Sequence, residues 1–202
     1  MKSAGNDIVA LTAVDQQRTV SPNFYSKFII PPERELFEQS SAMKTVSFCS
    51  FVWLLWSVKE SAYKYFKRMQ PELIFSPSKI VVAEIEVSDE GFFTGTLSFQ
   101  NTALYYRSQI TDEHIATIVN DEQTFAGVYH DVTKINKADN ESQSAAVRQL
   151  ALQKLQAILK LNDLSISKSD VGYPIVMQDT KLLDVALSFA HHDFFVGYSF
   201  KI

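Results

Sequence analysis

The sequence predicts an α+β fold in which a long helix packs on a small antiparallel sheet, twice over. Two observations carry this reading. Two stretches, residues 41–68 and 145–160, have the spacing and length of long core-facing helices. Each is accompanied by short strand-like runs separated by turn residues rather than by a regular strand–helix alternation. No close internal repeat is present, so the halves agree in pattern only.

The elements follow in order. "AGNDIVAL" is a short apolar strand with Gly5 before Asp7. "SPNFYSKFIIPPERELFEQ" reads as a loop and then a helix that opens on proline, with Glu33 and Glu35 near the positive end of its dipole. Residues 41–68 form a mostly buried helix that turns polar at its C-terminal end. "SKIVVAEIEV", "FFTGTLSFQ" and "TALYYRSQI" are strands, with "SDEG" as a turn, and "EHIATIVN" adds a fourth. The polar "KINKADNESQS" reads as a linker. In "AAVRQLALQKLQAILKLN", Val147, Leu150, Ala151, Leu155 and Ile158 share one stripe. "DVGYPIVM" is a turn and short strand, and "VALSFAHHDFFVGYSF" is two strands around a His-His-Asp bend. The expected organisation is a lobe at 1–120, a linker at 121–144 and a second lobe at 145–202.

Composition narrows the function. With 46% hydrophobic and 21% charged residues, the 202-residue chain has the make-up of a soluble globular protein. A net charge of -4 argues against a general nucleic-acid binder, so any anion site must be a local cluster of Lys and Arg. The single cysteine, Cys49, excludes an internal disulfide and a Cys-rich zinc site and reads as a small buried hydrophobe. The apolar run "VSFCSFVWLLW" is about half of the ~20 residues a membrane span needs. No signal-peptide pattern opens the chain, and the expected location is cytoplasmic.

Taken singly, the polar candidates are ordinary. Asp7 beside a glycine is most often a turn or cap residue. Glu60 and Lys64, four apart on one helix face, make a common solvated pair. His191 and His192 suit a hairpin bend, and Lys134, Lys137 and Arg148 suit surface charge. No Gly-rich phosphate loop, zinc spacing or nucleophile elbow is present.

Their joint pattern is specific. "GNDIV", followed about fifty residues later by "WSVKESAYK", resembles the two signature motifs of the 4'-phosphopantetheinyl transferase superfamily. "FIIPPERELFE" is similar to the segment before that family's long helix. "VGYP" resembles its Gly-Lys-Pro turn, and "LSFAHHDFFVGYS" its Ser-x-Ser-His strand bend.

The resemblance implies a Mg2+-dependent enzyme (Mn2+ being the substitute metal). It would transfer the phosphopantetheine arm of coenzyme A to a serine of an apo acyl or peptidyl carrier protein of fatty acid, polyketide or nonribosomal peptide synthesis. Asp7 and Glu60 would hold the metal. Glu60, directly or through a metal-bound water, would be the base for the serine, and Lys64 would neutralise phosphate charge. His191, Arg148, Lys134 and Lys137 would surround the 3'-phosphate, with Tyr173 and Lys64 also at the cofactor.

Motif order and departures qualify this. In the two-lobed branch the lobe with Gly-Lys-Pro and Ser-His comes first; here it comes last. That order implies a circular permutation in a monomeric pseudo-dimer, with the cut ends adjacent in space. The competing reading is the single-lobed, trimeric branch with an insertion between residues 70 and 170. Tyr173 stands for the usual Lys, Ala190 for the usual Ser, and Val9 where many members have another acidic ligand. These losses keep open a degenerate homologue that binds a carrier protein or coenzyme A without transfer.

Overall fold

The computed structural model describes residues 3–202. In chain order the elements are β1 (Gly5–Ala10), α1 (Gln16–Thr19), α2 (Pro22–Tyr25), α3 (Pro31–Gln39), α4 (Phe48–Met69), β2 (Val81–Val82), β3 (Glu86–Val87), β4 (Phe93–Phe99), β5 (Thr102–Ile110) and β6 (His114–Asn120). There follow β7 (Val128–Lys134), α5 (Asn140–Leu159), β8 (Leu164–Lys168), β9 (Pro174–Gln178), β10 (Lys181–Leu182), β11 (Ala186–His192) and β12 (Phe195–Lys201). The fold is α+β, and every strand pairing is antiparallel.

The first sheet runs β1-β6-β5-β4-β2, with β3 also on β4. Strand alternation sends Val9, Leu104, Tyr106, Ile115 and Val119 into one core with Phe51, Leu55, Val58 and Ala62 of α4. Gly5 sets how closely that helix approaches: a Cβ there would lie 2.0 Å from the Ser61 carbonyl oxygen and 3.0 Å from the Tyr65 amide nitrogen. α4 begins at Phe48, later than the sequence suggests, because the Ser47 hydroxyl caps it by accepting from the Ser50 amide at 3.0 Å. Residues 41–43 are a separate 3-10 turn capped by Ser40.

The second half builds two three-stranded sheets, β10-β9-β8 and β11-β12-β7. Val147, Ala151 and Leu155 of α5 pack on Leu164, Val176, Leu187, Val196 and Phe200. The stretch 121–144, expected as a linker, carries β7, which pairs along its whole length with β12. It also contains the first turn of α5, where Asp139 accepts from the Ser142 amide at 2.8 Å. β7 leaves little trace in the sequence, because none of its residues is fully buried and its burial does not alternate along the strand. Cys49 is half-buried rather than enclosed, and its partial burial pushes the thiol pKa up.

Strand β11 lies against the open edge of β1. The Asn6 amide donates to Ser188 Oγ at 3.3 Å, and the Ala10 amide donates to His192 Nδ1 at 3.1 Å. Ile8, Ala10, Ala190 and Phe195 form a small core across this junction. Lys201 Nζ reaches Asn120 Oδ1 at 2.9 Å and Asp121 Oδ1 at 2.6 Å, beside the residues that pair with Gly5. Both ends of the described chain therefore gather at one place. No helix among the described residues is long and apolar enough to cross a membrane.

Candidate active site

One stripe of α4 faces β1. Ser57, Glu60, Ser61, Lys64, Tyr65 and Arg68 recur at helical spacing, and Gly5 lets that stripe come close. Two residues past Gly5, Asp7 points to the same side. Lys64 Nζ lies 3.1 Å from Asp7 Oδ1, 3.5 Å from Glu60 Oε1 and 3.0 Å from the Asn6 carbonyl oxygen. One ammonium thus joins two carboxylates that are more than fifty residues apart in sequence.

Asp7 is 6% exposed; Lys64 takes its Oδ1, and the Ser57 hydroxyl stands beside the carboxylate as a further hydrogen-bond partner. Burial pushes the Asp7 pKa up to about 6, against the pull of Lys64 and with the help of the Glu60 charge. A buried carboxylate next to a second, partly exposed carboxylate is a donor set suited to Mg2+, which takes few protein oxygens and completes its shell with water and substrate phosphate. No group of three or more His, Cys, Asp or Glu side chains poised for a metal occurs among the described residues. Val9, 2% exposed, is packed in the core where a further acidic ligand would stand.

The Lys-Glu pair divides its labour by angle. Successive helical residues project about 100° apart, so Lys59 points into the protein while Glu60 faces the site. Lys59 is fully buried and donates to Glu33 Oε2 and the Phe28 carbonyl at 2.8 Å, to Ile80 O at 2.7 Å and to Pro77 O at 3.1 Å. Glu33 in turn accepts from the Ile30 amide at 3.0 Å and the Val82 amide at 2.8 Å. This buried ion pair ties α3, α4 and the chain leading to β2 together. Burial pulls the Lys59 pKa down, and Glu33 opposes the shift.

Next to Lys64 opens a cavity of about 370 Å3 between the end of α4, the turn before β9, β11 and α5. Lys64, Lys67, Arg68, Arg148, Lys168 and His191 line it, and no Asp or Glu is among its lining residues. In a chain of net charge -4, this is a local concentration of positive charge, suited to an anion. Arg148 donates to the Ile166 carbonyl at 3.1 Å, and Tyr173 lines the same wall. His191 is held below the usual histidine pKa by burial and by the charges of Lys64 and His192. His192 is occupied otherwise: its Nδ1 accepts from Ala10, which fixes β11 on β1.

The structure thus gathers Asp7, Glu60 and Lys64 in one cluster, and Lys64, Arg148, Tyr173 and His191 around one cavity. It places Lys134 elsewhere. That residue ion-pairs with Glu113 and sits over the Phe195 ring. Lys137 is exposed near Asp139, and neither lysine is among the cavity-lining residues. β7 holds Lys134 in register opposite Phe195, which points it away from the cavity. Lys67, Arg68 and Lys168 were not singled out from sequence. The spacing of Arg68, four residues after Lys64 on the same face, was the one available signal.

The family model for the 4'-phosphopantetheinyl transferase superfamily matches residues 3–119, more than half of the chain and all of the segment from β1 to β6 except its last residue. The chain belongs to that superfamily, and with it to the transferases of the phosphopantetheine group. No curated protein matches the chain.

Proposed function

We propose that the protein transfers the 4'-phosphopantetheine arm of coenzyme A to a serine of an apo acyl or peptidyl carrier protein, releasing adenosine 3',5'-bisphosphate. The observation that carries this is the juxtaposition of the Asp7–Lys64–Glu60 cluster with the basic cavity. One part suits a pyrophosphate and its cation; the other suits a nucleotide's phosphate.

In this reading Asp7 and Glu60 hold Mg2+ or Mn2+, which lends charge neutralisation at the pyrophosphate. Lys64 neutralises phosphate oxygens. Glu60, 29% exposed at its side chain, faces the entering serine and takes its proton. The serine oxygen bonds to the β-phosphorus of coenzyme A as the bond to the departing bisphosphate breaks. Arg148 and His191, with Lys168 close by, receive the 3'-phosphate, since charge-assisted contacts are the strong ones.

The chain works in this proposal as a monomer of two lobes in permuted order, residues 1–120 and 145–202. The contact of β11 with β1 and the contact of Lys201 with Asn120, next to the Val119 that pairs with Gly5, support it. An obligate trimer in solution would instead favour the single-lobed branch.

The test incubates the protein with coenzyme A, Mg2+ and an apo-carrier protein and reads the carrier's mass. A gain of one phosphopantetheine is expected. The second reading, binding without transfer, draws support from Val9 and Ala190, both apolar and 2% exposed where polar residues are usual. It predicts coenzyme A binding with an unmodified carrier.

A further inference from the structure

We propose that Arg68 is a positioning residue for the cofactor cavity, holding the turn that carries Tyr173 onto the helix that carries Glu60 and Lys64. The proposal rests on the reading of that cavity as the coenzyme A site.

Arg68 lies one turn beyond Lys64, where α4 ends. Its Nη1 donates to the Pro174 and Leu187 carbonyls, each at 3.3 Å, and its Nη2 donates to the Val185 carbonyl at 3.1 Å. These acceptors belong to β9, β11 and the chain just before β11, so one guanidinium joins α4 to both sheets of the second half. Its plane also meets the Tyr173 ring, 4.5 Å from the centroid.

Tyr173 ends a tight turn. The Gly172 amide donates to the Ser169 carbonyl at 2.9 Å, the Ser169 amide donates to the Tyr173 carbonyl at 2.9 Å, and Gly172 has φ +92°. Gly172 has nothing within 4 Å of its Cβ position, so the turn itself packs on little. The ring stacked on Arg68 and the Pro174 carbonyl bound to it are what tie this turn to α4. Where a lysine would place a charge at this corner, the chain has a ring, and the fixed cation at the corner comes from α4 instead.

A planar fork is required for this role. Arg offers several N–H donors in one plane and a face that stacks; lysine offers a point charge. Arg68→Ala and Arg68→Lys therefore discriminate positioning from simple attraction of an anion.

Three measurements test the proposal. Amide hydrogen exchange at Ser169 and Gly172 in the free protein should accelerate about tenfold or more in Arg68→Ala, the loosening expected when a local opening loses roughly one charge-assisted hydrogen bond. In the transfer assay the KM for coenzyme A should rise about tenfold while kcat changes far less, because the residue orients the site rather than touching reacting atoms. Arg68→Lys should recover less than half of either effect, and Tyr173→Ala should reproduce the exchange effect without disturbing α4. If Arg68→Ala does not fold, Tyr173→Ala alone decides. Unchanged exchange at the turn overturns the proposal, as does complete rescue of KM by lysine. An inactive wild-type protein would count against the proposed transfer, while the exchange measurement would still decide the brace.

Discussion

The Lys64 ammonium lies 3.1 Å from Asp7 Oδ1, joining the end of a helix face to a strand that precedes it by more than fifty residues. Glu60 completes the group at 3.5 Å. Two carboxylates this close repel unless a cation stands between them, and in the free protein that cation is Lys64. In the proposed reaction a divalent ion held by both carboxylates would take over that role and leave Lys64 free for the phosphates.

Asp7→Ala and Glu60→Ala should therefore each reduce transfer by about a hundredfold or more, the scale of a lost metal ligand or general base. The release of adenosine 3',5'-bisphosphate measures this. Glu60→Gln keeps the shape and removes the charge, so near-normal turnover in that variant would sink the assignment of Glu60.

Asp7 also makes stability depend on pH. Its folded-state pKa of about 6 lies above the ordinary 3.8, chiefly because burial disfavours the charge. The native state then binds the proton more tightly than the unfolded chain. The contribution to stability is complete below pH 3.8 and is lost as pH rises through about 6. Urea midpoints of metal-free wild type and Asp7→Asn should diverge between those values, Asp7→Asn gaining relative stability as pH rises. Parallel curves would contradict the raised pKa.

Lys59→Met should destabilise the protein by about 3–5 kcal/mol, because it leaves Glu33 buried and uncompensated. Both side chains are fully enclosed, and Lys59 also serves three backbone carbonyls. The measurement is the urea midpoint at constant slope. A loss of activity at unchanged stability would instead place Lys59 in the chemistry.

Gly5→Ala should cost about 2 kcal/mol or more, since the new Cβ meets backbone that can yield only by moving α4. The same movement would separate Lys64 from Asp7, so stability and transfer should fall together. A stable, fully active variant would refute the close-approach account.

Arg148→Ala should weaken coenzyme A binding by about tenfold or more, the order of one charge-assisted contact. The 3'-dephospho form should be affected much less. Equal weakening of both ligands would show that Arg148 does not read that phosphate. Calorimetry on the free protein is sufficient and does not depend on turnover.

Much of the site was legible from spacing alone. Glu60 and Lys64 share a helix face by periodicity, and Asp7 two residues after a glycine has the same side as that glycine on a strand. The inward role of Lys59 was also available, since it must point about 100° from Glu60. Glu33 was read only as a favourable charge at a helix start, and its second function needed the fold. The lysines at 134 and 137 show the converse: their sequence looked suitable, but β7 turns Lys134 toward Glu113 and leaves Lys137 exposed.

By itself the sequence determined the α+β class, the two long helices and the carboxylate–lysine motif, because these depend on short-range periodicity and on residues within one element or two. Only the tertiary structure decided which cations form the cavity. Lys64, Lys67 and Arg68 come from α4, Arg148 from α5, Lys168 from β8 and His191 from β11. No local pattern relates residues that distant. The packing of β11 on the edge of β1 brings them together, through contacts such as the Ala10 amide to His192 Nδ1, in which the donor is backbone and the residue type at position 10 gives no hint of the partner.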